Sequence, residues 1–584
     1  MNARIYANLA AAGLALFALL ALPGLIISFA GGAALAQESQ PGVESEMVFL
    51  VTGTIVDRQN LPVKNALVTL IDEATNETLA EDITQPDGRY AMNLDIPVPD
   101  RIVMHIERPH FHEMDIDLGE EAIQTLRLGQ PVGVPEVVLT RKITPAFWIA
   151  TLVFVGVLIL IATGTLHNTL AALLGMAVVL GVSYLGEPIN NGLFIFLFQE
   201  ALAYVDWDVI FLIMGMMMVI AVVERTGIFQ WMAFMAYRIS GGRIWLLVII
   251  LMLITGIASA FLDNVTTMLL MTPISVQIAL ALGIGPLALI IPEVFASNVV
   301  GISTLIGTPT NILIGSFANI TFADFLINLT PGVLMALAGL VIYCLLIYRE
   351  DLFTASSHGT SDIMVERLGE RARITEPGHL RKAAWVGAGM LILFVFGEHI
   401  HLIPAVTAII GATALLIWIR PNIDEMIEAV DWTTLVFFIA LFIIVGAVQE
   451  VGLISFIAEI IGQAVGNNLI LAMLAVIWLS ALLSTVIANI PFTAAMLPVV
   501  AFLTATIPGA NNKVLFFCLS VGSAMGGNGS LIGASANMVT AGIADRAGFP
   551  ITYAYFFRKG FLALLITVGL ATIWLLFRFL VLPN

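Results

Sequence analysis

Charge is what this chain of 584 residues has least of: 11% are Asp, Glu, Lys or Arg, where soluble domains carry roughly a quarter. That excludes a water-surrounded globule for most of the length. The charges that exist are gathered mainly in the first 145 residues and in 349–382. Positive charge is the scarcer sign, 24 Lys and Arg against 41 Asp and Glu, for a net −17. Nucleic acid is therefore excluded as a partner. A small anion is not, because half-helix N-termini attract anions locally. Cysteine occurs twice, Cys344 and Cys518, both within apolar runs. That leaves no disulfide framework and no thiolate metal site, and both read as core packing. Histidine is sparse, and only His399 and His401 lie close together near the apolar runs, at a run end. A redox or hydrolytic membrane enzyme would need intramembrane His or Cys clusters. The expectation is a protein that is not an enzyme, with no cofactor and no metal.

What is present is apolar sequence in long runs, 59% hydrophobic with a mean hydropathy of +0.99. Residues 1–36 combine a basic start at Arg4, an apolar run from Leu9 to Phe29 and a small-residue site at Ala34-Leu35-Ala36. This reads either as a signal peptide or as an N-terminal membrane anchor; both would export the adjoining segment. Residues 47–142 change character. Runs such as Val48–Gly53, Ala66–Ile71, Tyr90–Leu94, Ile102–Ile106 and Val137–Thr140 are rich in β-branched residues and separated by turn signals, notably Pro86-Asp87-Gly88. The spacing predicts a small exported all-β sandwich. Within it, His110 and His112 of His110-Phe111-His112-Glu113 share a face if the segment is a strand. That would suit a metal, but a solvated edge or loop is the commoner outcome.

From Pro145 the chain alternates apolar runs with short breaks: seven runs to 348, a charged stretch, then seven more. The two series match at a nearly constant spacing. Asp206-Trp207 and Asp431-Trp432, Gly227 and Gly452, Ser259 and Ser484, Asn264 and Asn489, and Pro273 and Pro498 are each 225 apart. Gly307 and Gly533, and Asn311 and Asn537, are 226 apart. The chain thus reads as transporter repeat 1 at 145–348, a cytoplasmic loop at 349–382 and repeat 2 at 383–584. If the runs flanking Asn264 form a re-entrant hairpin, five crossings remain per half, and an odd number inverts the second repeat. Arg349, Arg367, Arg371, Arg373, Arg381 and Lys382 then fall inside, as the positive-inside rule requires, as do Arg558 and Lys559.

The chemistry is expected where those runs are interrupted. Asp263-Asn264-Val265-Thr266-Thr267 and Asn489-Ile490-Pro491-Phe492-Thr493 are polar knots between apolar runs, and non-helical backbone at membrane depth must be buried in protein or line a wet cavity. Each is followed by a Gly-rich break. The first holds Asn298, Gly301, Thr304, Gly307, Thr308 and Asn311. The second holds Gly527, Asn528, Gly529, Ser530, Gly533, Ser535 and Asn537. Free carbonyls, hydroxyls and amides at such breaks suit a substrate or a hard cation, and paired breaks in two halves point to a transporter site. Asp263 and Glu293 are acids in apolar surroundings, each a candidate proton carrier or cation ligand, against the alternatives of an interfacial residue or a structural hydrogen bond. Ala488 stands opposite Asp263, so the repeat is chemically asymmetric.

The segments Leu262–Thr267, Ala488–Met496 and Gly526–Asn537 resemble the ion transporter superfamily, which includes arsenite pumps, sodium/proton antiporters, citrate transporters and divalent-anion/sodium symporters. Over 145–584 the likeness is strongest to the P-protein (pink-eyed dilution) branch and its prokaryotic relatives. Gly53–Tyr90 is similar to the carboxypeptidase-regulatory-like sandwich, which implies an accessory or binding module. The superfamily likeness implies an all-α polytopic protein with two inverted repeats, re-entrant hairpins and broken helices, working as an elevator. In the anion/sodium symporters each hairpin tip carries Ser-Asn-Thr. Here Asn264 and Asn489 match the Asn, while Asp263 and Ala488 replace the Ser, and Val265 and Ile490 replace the Thr. The coupling ion therefore stays open between Na+ and H+.

The expected function is secondary active transport of an inorganic oxyanion or carboxylate. The alternatives are a cation/proton antiporter and, in another class, a membrane sensor using the β-domain. The expected partners are membrane lipid, a small anion or cation, an unidentified ligand of the β-domain and, as a candidate assembly, a homodimer. The expected location is the cytoplasmic membrane, multi-pass, with the β-domain extracytoplasmic.

Overall fold

The computed structural model describes residues 49–58, 62–94, 98–353, 369 and 373–582. The N-terminal signal or anchor segment at 1–36 lies outside the described residues, as do Arg367 and Arg371. The chain divides into two compact units, one of residues up to Glu107 plus Glu113–Leu139, the other of Arg108–His112 plus Thr140–Asn584.

The first unit is two four-stranded sheets. One is built on β1 (Phe49–Asp57), which pairs antiparallel with β4 (Arg89–Leu94) and parallel with β7 (Val132–Gly133) and β8 (Val137–Leu139). The other runs in the order β3 (Thr78–Ile83), β2 (Leu67–Asp72), β5 (Ile102–Glu107), β6 (Met114–Asp117). Val68, Leu70, Met92, Ile102, Met104 and Ile106 alternate inward along their strands and are buried, the period-2 pattern of a half-buried sheet. Pro86-Asp87-Gly88 forms the expected turn. Gly88 takes a positive φ of 77° that only glycine adopts without strain, and its amide donates to the Gln85 carbonyl at 2.8 Å. β3 and β6 were not foreseen. Both are polar strands of intermediate or exposed residues, so they carry little hydrophobic signal. The same holds for the helix Glu120–Arg127.

The second unit is helical. Among the described residues, ten helices are long and apolar enough to cross a membrane, from Pro145–Thr163 to Tyr553–Leu580, so this is a multi-pass membrane protein. The duplication read in the sequence reappears as geometry. Trp207–Arg225 and Trp432–Glu450 are both 19 residues long and lie 225 apart, each capped by the aspartate before it, Asp206 or Asp431. Each is followed by a glycine with positive φ, Gly227 at 76° or Gly452 at 94°. Each glycine turns the chain into a 13-residue helix, Ile228–Ser240 or Leu453–Val465. These two short helices were not foreseen from the runs, because polar residues such as Gln230, Arg238, Glu459 and Gln463 interrupt them before an apolar stretch long enough to cross a membrane can form.

These matched helices run antiparallel. Tyr204, just before the first, donates its hydroxyl to Glu450, the last residue of the second. Arg225, the last residue of the first, pairs with Glu425, just before the second, at 2.6 Å.

Next in each half comes a helical hairpin. The first is Ile244–Phe261 with Asn264–Leu282, and the second Leu469–Leu483 with Asn489–Thr506. Both arms of the first pack against Ile228–Ser240, and both arms of the second against Leu453–Val465. Each half then supplies a broken helix. The first is Leu287–Val300, a 3-10 turn Gly301–Ser303 and Pro309–Ala318; the second is Val514–Gly526, Gly527–Gly529 and Ser535–Arg546. The Ser535–Arg546 arm was absent from the predicted runs because it is short and polar, although the 226 spacing places it opposite Pro309–Ala318.

The segment at His110 is a turn rather than a strand, in keeping with the commoner of the two outcomes. His110 sits in a turn with a φ of 67° and belongs to the helical unit. It is buried, with Nε2 donating to the Ile195 carbonyl at 3.2 Å and Nδ1 3.3 Å from the Thr144 hydroxyl, while His112 is exposed. The two imidazoles share no face, because the left-handed turn at His110 breaks the alternation that a strand would impose.

Candidate functional site

The two broken helices are built on one hydrogen-bond template. In the first, the Asn311 side-chain amide donates to the carbonyls of Ile302 and Thr304 at 2.9 and 2.8 Å. In the second, Asn537 donates to the carbonyls of Gly527 and Ser530, both at 2.8 Å. Thr304 donates its hydroxyl to the Ala260 carbonyl and accepts the Gly307 amide. Ser530 does the same with the Thr485 carbonyl and the Gly533 amide. The unwound backbone is thus satisfied by side chains placed at a fixed offset, as a break inside a membrane requires. The glycines allow close approach of segment to segment: a Cβ on Gly533 would lie 2.8 Å from the carbonyls of Gly527 and Ser484. Gly307 is packed in the same way against Gly301 and Ser259.

A bridge of asparagines joins the halves. Asn264, at the first hairpin tip, donates to Asn298 at 2.9 Å. Asn298 donates to Asn528 and to Asn537, both at 2.9 Å. Ser520 of the second half donates to Asn311 of the first at 2.6 Å. The sequence-selected Asn264, Asn298, Asn528 and Asn537 are therefore brought into one buried network, and Asn311 makes a separate buried link between the halves through Ser520. Their side chains are mainly spent on holding the breaks together.

Other selected residues are spent locally. Thr493 bonds back to the Asn489 carbonyl at 2.7 Å, and the Asn489 amide donates to Gly533 at 3.2 Å. The Thr308 hydroxyl lies 3.1 Å from that of Thr310. Pro491 is buried in the first turn of its helix, and Gly529 packs against Thr485. Thr267 is fully buried with no partner for its hydroxyl.

Beside the network lies a cavity of about 390 Å³. Part of its lining comes from the N-terminal ends of four helices: Val265 and Thr266 of Asn264–Leu282, Pro309 and Ile312 of Pro309–Ala318, Ile490 of Asn489–Thr506, and Ser535 and Val539 of Ser535–Arg546. Asp263 lines it as well. The Asp263 carboxylate caps its helix, accepting the Thr266 amide at 2.8 Å on Oδ1 and the Thr266 hydroxyl at 2.6 Å on Oδ2. Of the selected residues, Asp263, Thr266 and Ser535 face this space.

The opposite wall was missed by sequence reasoning: His167, Asn168, Thr169, Asp431, Thr433 and Thr434. Asp431 binds Thr434 through both amide and hydroxyl, as Asp263 binds Thr266. An aspartate with threonine three residues on, present at both places, was the available signal. A second cavity of about 370 Å³ is lined by Asp208, Asn319, Thr321, Glu398 and His401. Ile312 lines both.

A multi-pass bundle in which paired hairpins and paired broken helices surround a polar cavity has the build of a membrane transporter. The citrate transporter family model matches residues 158–513, and the chain belongs to that family. An uncharacterized transporter of Mycobacterium tuberculosis is 36% identical over 435 residues, 74% of this chain and 99% of its own length. The 46 kDa membrane protein of Mycobacterium leprae is 35% identical over 434 residues, again 74% and 99%. The P protein of Homo sapiens is 32% identical over 500 residues, 72% of this chain and 59% of its own length. These relatives agree with the ion transporter superfamily resemblance.

Proposed function

We propose that the protein is a secondary active transporter that carries a small anion, an oxyanion or a carboxylate, across the cytoplasmic membrane in exchange with or alongside H+ or Na+. The observation that carries this reading is the convergence of six helix N-termini on one cavity, those beginning at Asn168, Asn264, Pro309, Trp432, Asn489 and Ser535. Each N-terminus carries up to about half a positive charge. Although Asp263 takes the Thr266 amide and Gly533 takes the Asn489 amide, further first-turn amides have no intrahelical partner, an arrangement that favours an anion away from bulk water. The family's name makes citrate the first carboxylate to try.

The antiparallel course of Trp207–Arg225 and Trp432–Glu450 supports inverted repeats, with the end bearing Arg225 in the cytoplasm and the end bearing Glu450 outside. The two cavities, which meet at Ile312, support alternating access. The hairpins and broken helices would be the part that moves, as in an elevator.

A second reading is favoured by one observation. Asp263 and Asp431 line the cavity, and no Lys or Arg is among its lining residues. That suits a cation/proton antiporter. Reconstitution separates the two. In proteoliposomes, uptake of citrate, phosphate, sulfate or arsenite is measured while Na+ and pH gradients are varied independently, for the wild type and Asp263→Asn. Anion uptake driven by either gradient supports the first reading. Proton movement driven by Na+ or K+ with no anion requirement overturns it in favour of the antiporter.

A further inference from the structure

Glu293 is less well satisfied than Asp263. It sits in the middle of Leu287–Val300, wholly buried, about 7.5 Å along the helix from Asn298 at 1.5 Å per residue. Thr255 of the first hairpin donates to Oε2 at 3.2 Å. The buried Ser275 hydroxyl, on the other arm of that hairpin, interacts with the same carboxyl, but neither it nor Oε1 completes a hydrogen bond of ordinary geometry.

No counter-charge is supplied. The packed helices Ile244–Phe261 and Asn264–Leu282 contain no titratable residue, and Val514–Gly526 contains only Cys518. Phe322–Ile347 carries Asp324, Tyr343 and Cys344, and Ser535–Arg546 carries Asp545 and Arg546. Tyr553–Leu580 carries Tyr553, Tyr555, Arg558, Lys559 and Arg578. Among the described residues none of these forms an ion pair with Glu293. An isolated ionised carboxylate in such a place is prohibitively costly, so the group must be neutral or hold a cation.

The surroundings form a polar seam. Thr255 and Ser259 on the hairpin face Glu293 and Ser297 on the broken helix at matching four-residue steps. The Ser297 hydroxyl donates to Ser259 at 2.9 Å, and Ser259 donates to the Ser297 carbonyl at 3.1 Å. The next step reaches the hairpin tip. The second half keeps this seam at Ser480, Ser484 and Ser523 but has Leu519 where Glu293 would be. There the Ser480 hydroxyl is left without a partner. The hydroxyls belong to the duplicated framework, whereas the carboxyl was placed in one half only.

We infer that Glu293 is a buried proton-binding site of the first half, loaded in this conformation, and that it rather than Asp263 carries the coupling proton. Asp263 remains the helix cap at the cavity, its carboxylate oxygens committed to Thr266. Glu293 exchanges its proton with water only when the first hairpin parts from Leu287–Val300. The coupling role rests on the transporter reading; the proton site does not.

The test has two arms on the full chain. In reconstituted membranes, the infrared C=O band of a protonated carboxyl is followed against pH for the wild type and Glu293→Gln. A band that is present at neutral pH, lost on alkaline titration and missing in the variant supports the site. No difference between the two proteins, a band that never titrates, or a band removed by adding Na+ overturns it.

In proteoliposomes, Glu293→Gln is expected to abolish the response of solute flux to a pH gradient. Exchange of the same solute at equal pH should persist, and Glu293→Asp should restore the response. A pH-driven flux that survives in Glu293→Gln overturns the coupling role. Should the Gln variant fail to fold, Glu293→Leu, matching the other half, carries the same comparisons. The infrared arm needs no transported solute, so its failure is distinct from failure of the transport reading.

Discussion

Asn298 and Asn528 come from different halves of the duplicated chain and are hydrogen-bonded at 2.9 Å, amide to carbonyl oxygen, with no solvent access to Asn528. Asn298 also donates to Asn537 and accepts from Asn264, so its side-chain hydrogen-bonding positions are filled almost completely. Asn298→Ala leaves buried partners unpaired, at about 1–3 kcal/mol each. Because Asn298 and Asn528 share one network, their effects should not add. The double variant Asn298→Ala/Asn528→Ala should lose less thermal stability in detergent than the sum of the single losses. Strict additivity would show that the bridge does not couple the halves.

Arg108 and Glu450 form an ion pair in which the two side chains are only 7% and 9% exposed. Tyr204 donates to the same carboxylate, and Arg141 donates to the Glu450 backbone carbonyl at 3.1 Å. Removing one member of a buried pair costs about 3–5 kcal/mol, while replacing both with apolar side chains is often neutral. Glu450→Gln should therefore lower the melting temperature substantially, and Arg108→Met/Glu450→Met should recover most of the loss. A Glu450→Gln protein that melts with the wild type would refute the buried-pair account.

His110 should make stability depend on pH. Burial is the main force holding its imidazole below the usual 6.5, with Arg108 and Arg141 adding to it and the Ile195 carbonyl and Glu450 opposing. The folded protein then binds this proton less readily than the unfolded chain. The stability His110 contributes is complete above about pH 6.5 and is lost as pH falls below it. Melting curves from about pH 7.5 to about pH 5.5 should drop more steeply for wild type than for His110→Asn, a residue that tolerates the positive φ. Parallel curves would contradict this.

Much of the helical unit was legible because two independent signals coincided, apolar runs and a repeated spacing. The knots at Asn264 and Asn489 and the breaks at Gly307 and Gly533 stood out as polar interruptions, and they lie where helices end and restart. Their division of labour did not stand out. Sequence shows that Asn298 is polar in an apolar run, but only the fold shows that its amide is committed to Asn528 and Asn537. The wall of the cavity at Asp431 and Thr434 was hidden for a related reason. It comes from a helix start at a run end, where a capping aspartate looks interfacial. His110 lies in a turn, as the commoner expectation had it, but its burial was not legible, because a single left-handed residue directs the side chain without leaving a periodic pattern.

The most direct test of the account is the accessibility of Ser535, the first residue of its helix and part of the cavity lining. Both native cysteines are buried, so Ser535→Cys introduces a thiol at a helix N-terminus where thiolate reactivity is favoured. Labelling by a membrane-impermeant maleimide is measured with citrate, phosphate or sulfate present. The account predicts that the anion taken up by the protein slows labelling and that labelling stops its uptake. Labelling that no solute slows, and that leaves flux intact, would remove the cavity from the transport path.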